Sequence, residues 1–217
     1  MTQATIKALE GLRDPSTIKW YAIPLLAIVL YVYAREIKEA KQTGNWDAVL
    51  AGLTLFGMDF FNETCNGWIM HLTRRSALWT TPGDTALRVM VGWNIEIIFM
   101  FLLAGIIYYH CLSEEKTLTI LKIPEIWFWS IATSAFCVLV ECLLNAGGQL
   151  VWEYSFWNRS FFGVWLIFLL GYFTFFCAIN LVITRKTMRA KLSILGVIYA
   201  VPVIMNVLAL GILGWNY

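Results

Sequence analysis

Charge is what this sequence has least of. Asp, Glu, Lys and Arg make up 14% of its 217 residues, against about 25% in an ordinary soluble domain. That shortfall, with a mean hydropathy of +0.68, excludes a disordered chain and a nucleic-acid binder, both of which need solvated charge. Histidine is nearly absent: His71 and His110 are the two in the chain. They end apolar segments that reach opposite sides of a membrane, so they cannot share a metal ion, a di-iron pair or a haem. Glycine patterns that cradle nucleotide phosphates are missing, as is a nucleophile elbow. Cys65, Cys111, Cys137, Cys142 and Cys177 are odd in number and lie in or beside apolar runs, which makes them packing residues rather than a disulfide framework. The opening stretch, Met1 to Lys19, lacks the basic start, apolar centre and cleavage site of a signal peptide.

What is present is apolar surface, at 59% hydrophobic residues including 16% aromatics. It falls into six segments bounded by charge, Pro or Gly, at about 20–34, 47–71, 87–111, 123–146, 161–184 and 192–215. The expected fold class is all-α and integral to the membrane: a compact bundle of six transmembrane helices forming a single domain over residues 1–217. Six spans of ~20 residues use about 120, so fewer than ~100 remain for loops and termini. No soluble catalytic domain fits. The charges between Arg35 and Trp46 carry the first helix on into water, and Gly147-Gly148 reads as a helix stop. Ile6, Leu9 and Arg13 suit either a short interfacial helix or a frayed tail. Loops one, three and five hold nine of the 16 basic residues, Lys116 among them, with Arg185, Lys186, Arg189 and Lys191 clustered in loop five. Basic loops stay in the cytoplasm, so both termini are expected on the non-cytoplasmic side.

Four acids lie inside these segments: Asp59, Glu63, Glu96 and Glu141. Each costs on the order of 2.5–3.5 kcal/mol to insert, an expensive way to join helices. Asp59, Asn62, Glu63 and Asn66 fall at i, i+3, i+4 and i+7, one face of the second helix. Ser130, Ser134, Cys137, Glu141 and Asn145 make a similar stripe on the fourth, and Arg88, Gly92 and Glu96 a line on the third. At ~1.5 Å rise per residue, Glu63, Glu96 and Glu141 lie at similar depth from the side that holds the termini and loops two and four. The expectation is a polar cavity in one leaflet, lined by carboxylates and amides and roofed by aromatics. Trp68, Trp93 and Trp152 adjoin the stripes and are cavity candidates, with Glu153 and Tyr154 returning beside them. Trp20, Trp46, Trp79, Trp127, Trp129 and Trp215 fall near segment ends, as an interfacial belt does. Asn94, Asn180 and Asn206 suit hydrogen-bonded joints between helices.

These parts suit an intramembrane enzyme that needs no cofactor or metal. One carboxyl group protonates a lipid or isoprenoid substrate, another removes a proton, and aromatic faces stabilise the cation between. Glu63 and Glu141 are the expected acid/base pair, tuned by Asp59 and Glu96. Asn62, Asn66, Trp68, Trp93, Asn145, Trp152, Glu153 and Tyr154 are the expected substrate-binding set. The run from Lys122 to Trp129, with Pro124-Glu125, resembles the Pro-x-Glu-Glu motif of heterodimeric-type lycopene cyclases in one Pro and one Glu. The second acid is absent, so the resemblance implies a class of chemistry, cyclisation or isomerisation, rather than membership. Two other readings use the same residues: a proton- or cation-coupled transporter, and an accessory subunit whose stripes face a protein partner in the membrane.

Overall fold

The computed structural model describes residues 1–113 and 118–217, which leaves Lys116 outside it. The chain is mostly helical, with seven helices among the described residues. These are α1 (Gln3–Leu9), α2 (Ala22–Thr43), α3 (Asp47–Thr73), α4 (Ile95–Cys111), α5 (Glu125–Ala146), α6 (Phe161–Ile183) and α7 (Met188–Ile212). The last three are long and apolar enough to cross a membrane, and α4 is a shorter apolar helix. Six two- or three-residue strands connect them: β1 (Trp79–Thr80), β2 (Arg88–Met90), β3 (Trp93–Asn94), β4 (Thr119–Ile120), β5 (Ile123–Pro124) and β6 (Val151–Trp152).

α3 is the central helix. It buries Leu50, Ala51, Leu55, Asp59, Glu63, Asn66 and Met70 along its length and packs against α4, α6 and α7. A helix enclosed on all sides needs small residues where neighbours come close. Gly105 of α4 meets that need: a methyl group there would stand 2.7 Å from the Gly52 Cα. Farther along α4, Tyr108 donates to the Asn180 Oδ1 of α6 at 2.7 Å and meets the Ser130 Oγ of α5 at 3.0 Å, while Asn180 Nδ2 donates to Ser130 at 2.8 Å. This closed network joins three helices, the joint expected of Asn180.

The third apolar segment departs from expectation at its start. Residues 88–94 form a hairpin of β2 and β3, and α4 begins only at Ile95, capped by the Asn94 side chain, which accepts from the Ile97 amide at 3.0 Å. Arg88, Gly92 and Glu96 therefore share no helical line. Val89, Met90 and Val91 are apolar enough to read as helix, but Asn94 is a preferred N-cap residue and stops it there.

The hairpin belongs to a cap built from the N-terminal stretch, the 74–94 and 147–160 connections and residues 213–217. β1 pairs antiparallel with β6, setting Trp79 opposite Trp152. Arg88 is buried and donates to the carbonyls of Thr81 (3.1 Å), Glu10 (2.9 Å) and Gly83 (2.7 Å), tying the N-terminal stretch to the loop. The Arg13 amide bonds to the Arg88 carbonyl at 2.8 Å. Buried Tyr217 packs beside Gly67, and Asn216 meets His71 Nε2 at 3.0 Å. The opposite end of the bundle holds the β4–β5 hairpin and a contact between His110 Nε2 and Glu36 Oε2 at 3.1 Å.

Candidate functional site

Between α3, α4, α5 and α6 lies a cavity of about 400 Å³ whose lining reaches Trp79, Gly92, Leu150 and Trp157 of the cap. Asp59 and Glu63 come from one turn of α3, and Glu141 reaches the same cavity from α5. All three are buried. Each accepts a hydrogen bond from an indole N–H: Trp93 to Asp59 at 2.6 Å, Trp79 to Glu63 at 2.6 Å, and Trp152 to Glu141 at 2.8 Å. An N–H bond to an ionised carboxylate contributes ~1.5–3 kcal/mol, comparable with the cost of inserting the acid. Among the described residues, no Lys, Arg or His lines the cavity.

The cap delivers two of these donors together, because Trp79 and Trp152 are register partners across β1 and β6. Asn66 fixes the strand they sit on. Its Oδ1 accepts from the Leu78 and Trp79 amides at 2.7 and 3.3 Å, and its Nδ2 donates to the Trp79 carbonyl at 2.8 Å. Trp79 also stacks on Trp157, with ring centres 5.7 Å apart. Trp93 is sandwiched by Phe56 and Phe60 at 5.5 and 5.6 Å, which holds its N–H on Asp59. Of the seven buried side-chain polar atoms without a hydrogen-bond partner among the described residues, two belong to the cavity lining: Glu63 Oε2, on a residue 3% exposed, and Trp157 Nε1, on one 5% exposed.

The expected site residues divide into three groups. Asp59, Asn62, Glu63 and Glu141 line the cavity, while Trp93 and Trp152 support two of its acids from behind. Asn66, Asn145, Glu153 and Tyr154 instead build the cap: Asn145 donates to the Leu150 carbonyl at 3.0 Å, Glu153 accepts from the Thr2 hydroxyl at 2.7 Å, and Tyr154 donates to the Ser76 carbonyl at 3.1 Å. Glu96 and Trp68 stand apart. Glu96 accepts from Tyr21 (2.6 Å), Thr85 (2.5 Å) and the Ala86 amide (2.8 Å), bracing the cap against α4. Trp68 packs edge-on to Trp215 at 5.2 Å.

The walls also differ from the expected ring of carboxylates and amides. Beyond the three acids they are mainly apolar and aromatic, including Phe101, Phe136, Tyr172, Phe175 and Phe176. Tyr172 stands against Glu141 in a π-helical stretch of α6, Ile167–Phe173, a local irregularity frequent at functional sites. Trp79 and Trp157 carried no helical periodicity that could have marked them. Their signal was proximity to the Gly83 and Gly147-Gly148 turns that fold both connections back.

Comparison with known proteins places this arrangement in a membrane context. Residues 2–211 match an uncharacterized membrane protein family. The chain belongs to that family. A relative from Archaeoglobus fulgidus, described as an uncharacterized protein, is 39% identical over 214 residues, covering 99% of each chain. No solved structure matches. In a membrane protein family, the apolar exteriors of α5, α6 and α7 suit helices long and apolar enough to cross a membrane, and the three buried acids are the groups that need explaining.

Proposed function

We propose that the chain crosses the bilayer six times through α2–α7 as a single domain, and that its cavity performs cofactor-independent acid–base chemistry on a lipid or isoprenoid substrate, of the cyclase or isomerase type. The observation that carries this reading is the meeting of Asp59, Glu63 and Glu141 in the lining of one aromatic-walled cavity, each fixed by an indole. Residues serving only as helix joints close their bonds among themselves, as Tyr108, Ser130 and Asn180 do. Glu63 keeps one oxygen free.

The chemistry follows from that free oxygen. Glu63, carrying a proton, transfers it from Oε2 to a carbon of the substrate double bond; the O–H bond breaks, a C–H bond forms, and the adjacent carbon becomes cationic. Aromatic ring faces stabilise that charge while the cavity excludes water. Glu141 removes a proton from a neighbouring carbon, restoring a double bond at a new position, and Asp59 balances the charge between the two.

The test is deuterium incorporation. The purified protein, in nanodiscs supplied with a lipid and isoprenoid extract of its source membranes, is incubated in deuterated water and the lipids are analysed by mass spectrometry. One deuterium per turned-over chain is expected, with Glu63→Gln and Glu141→Gln each at least ~100-fold slower and unchanged in helical content. Absence of incorporation by the wild type overturns the acid–base reading.

A further inference from the structure

The cavity also indicates what kind of molecule it takes. Its side wall lies between α4 and α5, where Ile107 and Phe136 line the cavity and yet are 62% and 64% exposed on the outside of the bundle. An opening framed by exposed apolar side chains faces bilayer interior, so access is lateral, for a chain already dissolved in lipid. The acid-bearing lining then sets what that chain can carry. With no Lys, Arg or His among the described lining residues, the acids there offer phosphate or carboxylate no countercharge, and the N–H groups of Trp79, Trp93 and Trp152 are already given to those acids.

Two groups are left over in that lining. Neither Glu63 Oε2 nor Trp157 Nε1 has a hydrogen-bond partner among the described residues, although both residues are more than nine-tenths buried. They belong to one cluster, because Trp79 donates to Glu63 and stacks on Trp157. Buried polar atoms left single are uncommon and costly. A hydroxyl group both donates and accepts, so one hydroxyl can answer both.

We propose that the cavity binds an uncharged isoprenoid or lipid chain ending in a single hydroxyl, which enters between α4 and α5 and lodges its oxygen between Glu63 Oε2 and Trp157 Nε1. This rests on the acid–base reading for its placement of Glu63, but it is a statement about binding and is tested without turnover. Three saturated probes that cannot undergo alkene chemistry serve: phytanol, phytane and phytanyl phosphate, titrated into the purified full chain and followed by native mass spectrometry. Phytanol is expected to bind about 10-fold more tightly than phytane, the worth of one to two net hydrogen bonds, and at least ~10-fold more tightly than the phosphate. Trp157→Phe keeps a ring and loses the N–H, so it lowers the ratio of phytanol to phytane affinity while leaving phytane itself within ~2-fold. Equal binding of phytanol and phytane overturns the proposal, and so does strongest binding of the phosphate. The expected preference without deuterium incorporation would keep this binding site and remove the acid–base reading.

Discussion

At the scale of single residues, the difference between Glu141 and Glu96 is one of surroundings. Both are acids in apolar segments, and both accept hydrogen bonds. Glu96 receives three donors from the cap and α2's leading edge and lies outside the cavity. Glu141 is hydrogen-bonded to Trp152 and Tyr172 and lines the cavity. Glu96→Gln is therefore expected to lower stability by ~1–3 kcal/mol, read as thermal unfolding in detergent, without slowing deuterium incorporation. For Glu141, a double-mutant cycle with Trp152→Phe and Glu141→Gln is expected to give a coupling energy of ~0.5–3 kcal/mol. A coupling near zero would mean that the indole and the carboxyl group act independently, against the geometry.

At the scale of elements, the helices and the acids were legible in the sequence and the cap was not. Asp59, Asn62, Glu63 and Asn66 share a face because 3.6 residues make a turn, and that arithmetic survives folding. The indoles that complete the site come from connections, and their positions depend on β1 finding β6 some 70 residues away, for which two-residue strands leave almost no pattern. The 87–94 stretch was misread for a related reason: three apolar residues in a row suit helix and strand alike, and Gly92 with Asn94 was the available boundary signal. Gly92 is informative in its own right. A Cβ there would come within 2.6 Å of both Glu63 Oε2 and the Trp79 ring. Gly92→Ala is expected to displace Trp79 from Glu63, costing ~1–3 kcal/mol of stability and slowing deuterium incorporation, whereas the same change at Gly196, which has open space around it, leaves both unchanged. Equal behaviour of the two variants would show that the cap tolerates movement at this point.

At the scale of the whole molecule, the two ends of the bundle differ in how they use positive charge, and that difference bears on orientation. On the cap side Arg88 is buried among carbonyls, Lys19 is paired with Asp84, whose carboxyl group that lysine holds below the usual carboxylate range, and the exposed Lys7, Arg74, Arg75 and Arg159 are scattered over three segments. At the other end Arg185, Lys186 and Arg189 are exposed within five residues. Basic residues clustered in a short loop are retained in the cytoplasm, so the cap and the acids are predicted to lie toward the outer leaflet. Two cysteine probes on either side of α6 decide this, in a variant whose five native cysteines are replaced by serine. Ser155→Cys, exposed in the cap, is expected to react with a membrane-impermeant maleimide on intact cells. Lys186→Cys is expected to react only after the cells are opened. The reverse pattern would invert the protein, placing the acids in the inner leaflet with their chemistry otherwise unchanged. Labelling of both positions on intact cells would mean that α6 does not cross, and a cavity fed from the bilayer between α4 and α5 would then have no membrane around it.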